Sequence, residues 1–108
     1  MLSRGKVYRG RWVRWGAMVE VDGKPLSPRY DLRDYRRMFG KYASPSMFSW
    51  GDASPQSAQL ALALLADCLG DDGKALALHH LFRVRFIERL PKIEWTLTEA
   101  QLRGMIED

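Results

Sequence analysis

Apolar and polar residues alternate with period two near the start of the chain and change to helical spacing after its midpoint. From Lys6 to Trp15 the chain is rich in β-branched and aromatic residues, and Ala17 to Val21 runs on to the turn dipeptide Asp22-Gly23. This predicts two strands and a turn, with Ala17, Val19 and Val21 on one face and Met18 and Glu20 on the other. Lys24 to Pro28 holds two prolines, which suit a short edge segment and no central ladder. Tyr30 to Phe39 places Leu32, Tyr35, Met38 and Phe39 at helical spacing behind Ser27 or Asp31 as cap, which predicts a short helix. Lys41 to Pro55 has loop chemistry, pinned by Met47, Phe48 and Trp50.

The second half predicts helices. Ser54 precedes Pro55 as a cap followed by a first-turn proline, and Ala58 to Leu69 is apolar on nearly every side before Gly70. A helix apolar all round is the buried centre of a small domain. Asp72 is expected to cap a second helix, Gly73 to Leu90, with Leu78, Phe82, Phe86 and Leu90 as its stripe and Pro91 as its stop. Ile93 to Leu97 reads as a further strand, and Thr98 with Gln101 as a capping box that opens a terminal helix with Leu102 and Ile106 inward. The expected fold is α+β: a small antiparallel sheet, made of the N-terminal hairpin and a late strand, packed on helices 55–69 and 73–90, with a short C-terminal helix. At 108 residues the chain should form a single compact domain, 1–108.

The longest apolar stretch, Leu60 to Ala66, is far short of the roughly 20 residues that cross a bilayer, so no membrane partner is expected. The N-terminus lacks an apolar segment behind its charges and does not read as a signal peptide. The lone Cys68 cannot form an internal disulfide. Together these give a cytoplasmic expectation.

Charge sharpens the picture. Residues 1–41 carry eleven basic and four acidic side chains, a net +7, whereas residues 42–108 are −3, for +4 overall. A basic half attracts phosphate backbones or acidic protein surfaces. The strand around Tyr8 and Trp12 interleaves aromatics with arginines, and alternation puts Tyr8, Trp12 and Arg14 opposite Arg9 and Arg11. Stacking rings beside cations suit single-stranded nucleic acid, although aromatics in a small domain also fill cores.

The usual catalytic and metal signatures are missing: there is no Walker loop, nucleophile elbow, HExxH or Cys/His zinc spacing. No cofactor, metal or catalytic residue is expected. Adjacent His79 and His80 point about 100° apart on a helix and read as surface residues, and Cys68 as a small core residue. Asp67, Asp71 and Asp72 read as helix termination and capping. In the loop before Pro55, Asp52 would oppose a phosphate at the helix N-terminus, so internal capping is preferred there.

The expected function is therefore a non-enzymatic binding module that docks a basic, aromatic face on an acidic protein. Arg9, Arg11, Arg14, Arg33, Arg36 and Arg37 would form its rim, with Trp15 and Tyr35 as anchors, since interface hot spots favour arginine and aromatics. The alternatives are sequence-independent nucleic-acid binding by the same face and a small metal-dependent hydrolase or nuclease using Asp52, Asp67, Asp71 and a histidine.

Phe48-x-Trp50-Gly51, Ser54-Pro55, Gln59-Leu-Ala-Leu-Ala-Leu-Leu-Ala-Asp67-x-Leu-Gly70-Asp71, Leu90-Pro91 and Trp95-x-Leu-Thr98, with Tyr8-x-Gly10 and Val19-x-Val-Asp-Gly23 before them, resemble a family of small uncharacterised bacterial and phage domains. The resemblance implies a fold unit in a mobile-element setting. Encoded on a phage or plasmid, the docking module expected above would take as its acidic partner, for example, a component of a host defence or replication complex, and would act as its inhibitor. It attaches no reaction. Family members carry a glycine-rich segment where this chain has Trp50-Gly-Asp-Ala-Ser-Pro55, which puts in doubt any ligand needing close backbone approach there. Trp50, Gly51, Pro55, Gln59 and Asp67 are motif positions expected to be structural: Trp50 over the buried helix, Gln59 and Asp67 satisfying loop backbone groups.

Overall fold

The alternation near the N-terminus closes into a sheet. In the computed structural model, which describes residues 5–14, 16–39 and 47–107, strands β1 (Val7–Val13), β2 (Gly16–Val21), β3 (Lys24–Pro25) and β4 (Glu94–Thr98) form one antiparallel sheet in the order β3-β2-β1-β4. Asp22 and Gly23 take φ of 50° and 80°, the left-handed pair that a two-residue hairpin between β2 and β3 requires. Period two then sorts the faces. Tyr8, Val19, Trp95 and Leu97 are buried toward the helices, while Arg9, Arg11, Met18, Glu94 and Thr96 lie on the open face.

The helices are α1 (Arg36–Phe39), α2 (Pro55–Leu69), α3 (Asp72–Arg85) and α4 (Glu99–Glu107), with a 3₁₀ turn at Ile87–Arg89. The fold is α+β, with its helices packed on the sheet. Helix α2 has the expected bounds: Ser54 Oγ accepts the Ser57 N–H, Pro55 opens it, and Gly70 at φ 64° ends it. From Gln56 to Ala66 every residue of α2 is buried. The capping box at α4 is reciprocal, with Thr98 N–H donating to Gln101 Oε1 and Gln101 N–H to Thr98 Oγ1. Among the described residues no helix is long and apolar enough to cross a membrane.

Four expectations need correction. Asp71, not Asp72, caps α3, its carboxylate accepting the Lys74 N–H at 3.0 Å, and Asp72 starts the helix. That helix ends at Arg85 and not Leu90, because the chain tightens so that Ile87 enters the core and its carbonyl accepts the Gly51 N–H. Between Tyr30 and Phe39 only Arg36–Phe39 is helical. Gln59 takes the Arg33 carbonyl and the Tyr35 N–H that a helix there would use, together with the Pro28 carbonyl, and Arg29 at φ 56° turns the chain just ahead of that stretch. His79, expected on the surface, is 1% exposed.

At one end of the sheet three tryptophans meet. Trp50 is fully buried, its centroid 5.5 Å from Trp12 and 5.6 Å from Trp95, edge-on to the latter. Its indole N–H donates to the Lys92 carbonyl at 3.0 Å. A Cβ at Gly10 would run into the Trp95 ring, which is why the middle of β1 has no side chain. Trp12 remains at the rim, 36% exposed.

Candidate partner-binding site

The structure divides the arginines expected on one face between two places. Arg9 and Arg11 lie on the open sheet face, and each has a carboxylate from a neighbouring strand: Glu94 at 3.9 Å from Arg9 and Glu20 at 3.6 Å from Arg11. These exposed pairs contribute little to stability, but they balance the charge of that face. Arg14 is exposed in the turn after β1. Trp15, expected as an anchor, lies outside the described residues.

Arg33, Arg36 and Arg37 belong instead to the segment from Pro28 to Phe39, which is tied to the helices. Gln59, buried in α2, accepts the Tyr35 N–H at 3.0 Å and donates to the carbonyls of Pro28 at 2.6 Å and Arg33 at 3.0 Å. All three bonds are long in sequence, so one amide on a helix sets the course of a loop. Arg29 holds the start of the segment by forking onto Asp31 and Asp72 with contacts of 2.9–3.2 Å. Its hydrogen bonds keep the Asp31 carboxyl below the usual range.

Tyr35 is a correction to the anchor expectation. Its side chain is 5% exposed and unavailable to a partner, and its hydroxyl meets His79 Nε2 at 2.6 Å. His79 Nδ1 lies 2.8 Å from the Leu76 carbonyl, which can only accept. The proton therefore sits on Nδ1, and Nε2 accepts from Tyr35. Burial, with His80, Arg33 and Arg83 nearby, pushes the His79 pKa below its ordinary value against the opposing Leu76 bond. Sequence reasoning missed this residue, yet the signal was present: Ala75, His79 and Phe82 sit at i, i+4 and i+7, and all three are buried.

On the outside of this anchored segment the cations are backed by rings. The Arg36 guanidinium lies 4.0 Å from the Tyr30 centroid, and that of Arg33 lies 5.2 Å from the Tyr35 centroid. Arg36 also pairs with Asp34 at 2.6 Å and holds that carboxyl down to about 2. Among the described residues no carboxylate lies within ion-pair distance of Arg33 or Arg37.

The motif positions have other employment. Gly51 takes φ 71°, and a Cβ there would stand 3.1 Å from the Leu90 carbonyl oxygen. Asp52 accepts from Ser49 Oγ at 2.6 Å, Ser57 Oγ at 2.7 Å, the Ser54 N–H at 2.9 Å and Lys92 Nζ at 2.9 Å. Burial works to raise its pKa, and the serine hydrogen bonds outweigh that, holding the carboxyl well below the usual range. Asp67 Oδ2 accepts the Tyr8 hydroxyl at 2.7 Å and pairs with Lys6 at 3.3 Å, so it bonds side chains, not the loop backbone expected of it. Burial followed by that bond raises the Tyr8 pKa. Asp52 and Asp67 flank opposite ends of α2, about 20 Å apart at 1.5 Å rise per residue. Asp52, Asp67 and Asp71 do not converge, and among the described residues no group of three or more His, Cys, Asp or Glu is placed to hold a metal ion.

No curated protein and no solved structure matches the chain. The match that does span the fold, from Tyr8 in the first strand through the Trp50 loop and α2 to the last helix, is a family model over residues 8–108: the chain belongs to the Family of unknown function (DUF6166).

Proposed function

We propose that the chain is a non-enzymatic binding module that docks on an acidic protein surface through the arginines of residues 29–38. The observation that carries this reading is the anchorage of the segment's backbone by Gln59 and His79 at Arg33 and Tyr35, where among the described residues no carboxylate lies within ion-pair distance of Arg33 or Arg37. Cations held on a fixed backbone lose less freedom on docking than cations on a free loop. Arg36, stacked on Tyr30 and paired with Asp34, is a rigid neighbour whose outer edge stays exposed. Arg9, Arg11 and Arg14 contribute a weaker field from the sheet side.

The test is a charge swap. A photoreactive group in place of the exposed Met38 should crosslink an acidic protein in the host cell, and Arg33→Glu with Arg37→Glu in that chain should abolish capture. Reversing the acidic residues at the crosslinked site of the partner should restore it. Binding instead to short DNA or RNA, falling linearly with log salt and weakened by the same reversal, would replace this reading with nucleic-acid binding.

A further inference from the structure

The sheet has two edges of different character. β3 is two residues long and one of them is Pro25, which closes that side. β4 is five residues long and pairs on one side only, with β1. Trp12 N–H donates to the Ile93 carbonyl and Glu99 N–H to the Lys6 carbonyl in the same register as Gly10 with Trp95 and Tyr8 with Leu97. In an antiparallel pair the bonded residues alternate. The backbone groups of Trp95 and Leu97 are therefore spent on β1, and those of Glu94, Thr96 and Thr98 turn outward. Thr98 N–H is taken by Gln101. Among the described residues nothing bonds the N–H or C=O of Glu94 and Thr96.

We propose that β4 pairs antiparallel with β4 of a second copy of this chain, about a twofold axis through Trp95. In that register Glu94 stands opposite Thr96 of the second copy, and Thr96 opposite its Glu94. Each chain then supplies two free donors and two free acceptors, and the four bonds satisfy all of them. An axis through Thr96 would set Glu94 against Thr98, whose N–H is taken by Gln101 and whose carbonyl, at the N-cap, serves the first turn of α4, and would form only the central two bonds. The same axis through Trp95 places Ile93, 80% exposed, beside Leu97 of the second copy, and sets no like charges directly opposite each other. A second copy is favoured as occupant because the edge is self-complementary about that axis, as a twofold interface must be. Two short strands bury less than the roughly 1,000 Å² of a permanent interface, so the dimer is a weak one, with a Kd on the order of 100 µM. The proposal is independent of the partner reading, since Arg33 and Arg37 lie on the segment tied to the helices.

Sedimentation velocity on the full chain from about 10 µM to about 1 mM tests it, spanning the Kd range expected of so small an interface. Wild type should pass from monomer to dimer across that range. Thr96→Pro removes an outward N–H and no bond to β1, so it should leave the monomer's thermal melt in place and raise Kd at least about tenfold, two of four bonds being lost. Ile93→Lys, at a side chain with no packing role in the monomer, should also raise Kd. Chains with Glu94→Cys mixed with chains with Thr96→Cys should crosslink to each other faster than either to itself, because only that pair is in register. Wild type that stays monomeric at about 1 mM overturns the proposal, as does a dimer that both variants form undiminished.

Discussion

Replacing Gln59 by leucine keeps the volume in α2 and removes three hydrogen bonds to the segment that carries Arg33 and Arg37. The Tyr35 N–H lies in buried surroundings, so orphaning it costs about 1–3 kcal/mol. The Pro28 and Arg33 carbonyls are partly open and recover water, which limits each to about 0.5–1 kcal/mol. The expected loss is about 2–5 kcal/mol, below most of the 5–15 kcal/mol range of a typical domain, so Gln59→Leu should still fold near neutral pH and room temperature. A urea titration should show a lower midpoint with unchanged slope, and amide exchange should accelerate across residues 29–38 while α2 stays protected. A loss under about 0.5 kcal/mol, the range of an indifferent substitution, or unchanged exchange in 29–38, would refute the view that one amide positions this segment.

Other expectations follow from the same contacts. Because the folded-state pKa of His79 lies below its unfolded value, the unfolded chain takes up the proton first as pH falls; stability should be full above about pH 7 and decline through about 6.5, and denaturation at several pH values should show that slope flattened in His79→Phe. Asp52 has the carboxylate sign: its stabilisation is present above about pH 4 and lost below it, so Asp52→Asn should cost about 1–3 kcal/mol at neutral pH and show a smaller loss on acidification, read by denaturant midpoints at pH 7 and pH 3. Gly51→Ala must place a Cβ at φ 71° against the Leu90 carbonyl and should cost about 1–2 kcal/mol; an unchanged melting temperature would show that the loop relaxes freely.

What the sequence made legible was local. Ser54-Pro55 and Gly70 bound α2 because a cap, a first-turn proline and a left-handed glycine each act within one turn. Asp22-Gly23 and the Thr98–Gln101 box were readable for the same reason. What stayed hidden was fixed by partners far along the chain. The spacing of Leu32, Tyr35 and Met38 fits a helix, yet Gln59 takes the Tyr35 N–H that such a helix would have used. His79 could be placed on the buried side of α3 from its spacing, but no local signal names Tyr35 as its partner. The directions of the arginines were likewise unreadable, because strand register and a loop anchor decide them.

The uneven charge of the chain has a physical account that narrows the partner question. Acidic residues of the second half are taken up by cations of the first: Asp67 by Lys6, Glu94 by Arg9 and Asp72 by Arg29. Arg11 and Arg36 find Glu20 and Asp34 within the first half. Much of the +7 that looks available along the sequence is thus matched across the fold, and a partner approaching those residues must compete with an existing carboxylate. No carboxylate lies within ion-pair distance of Arg33 or Arg37 among the described residues, and they sit on a segment held by a buried hydrogen bond at Tyr35 and a part-buried one at Arg33. An acidic surface meets no paired carboxylate at Arg33 and Arg37, which is why reversing these two charges should matter more to docking than reversing Arg9 and Arg11.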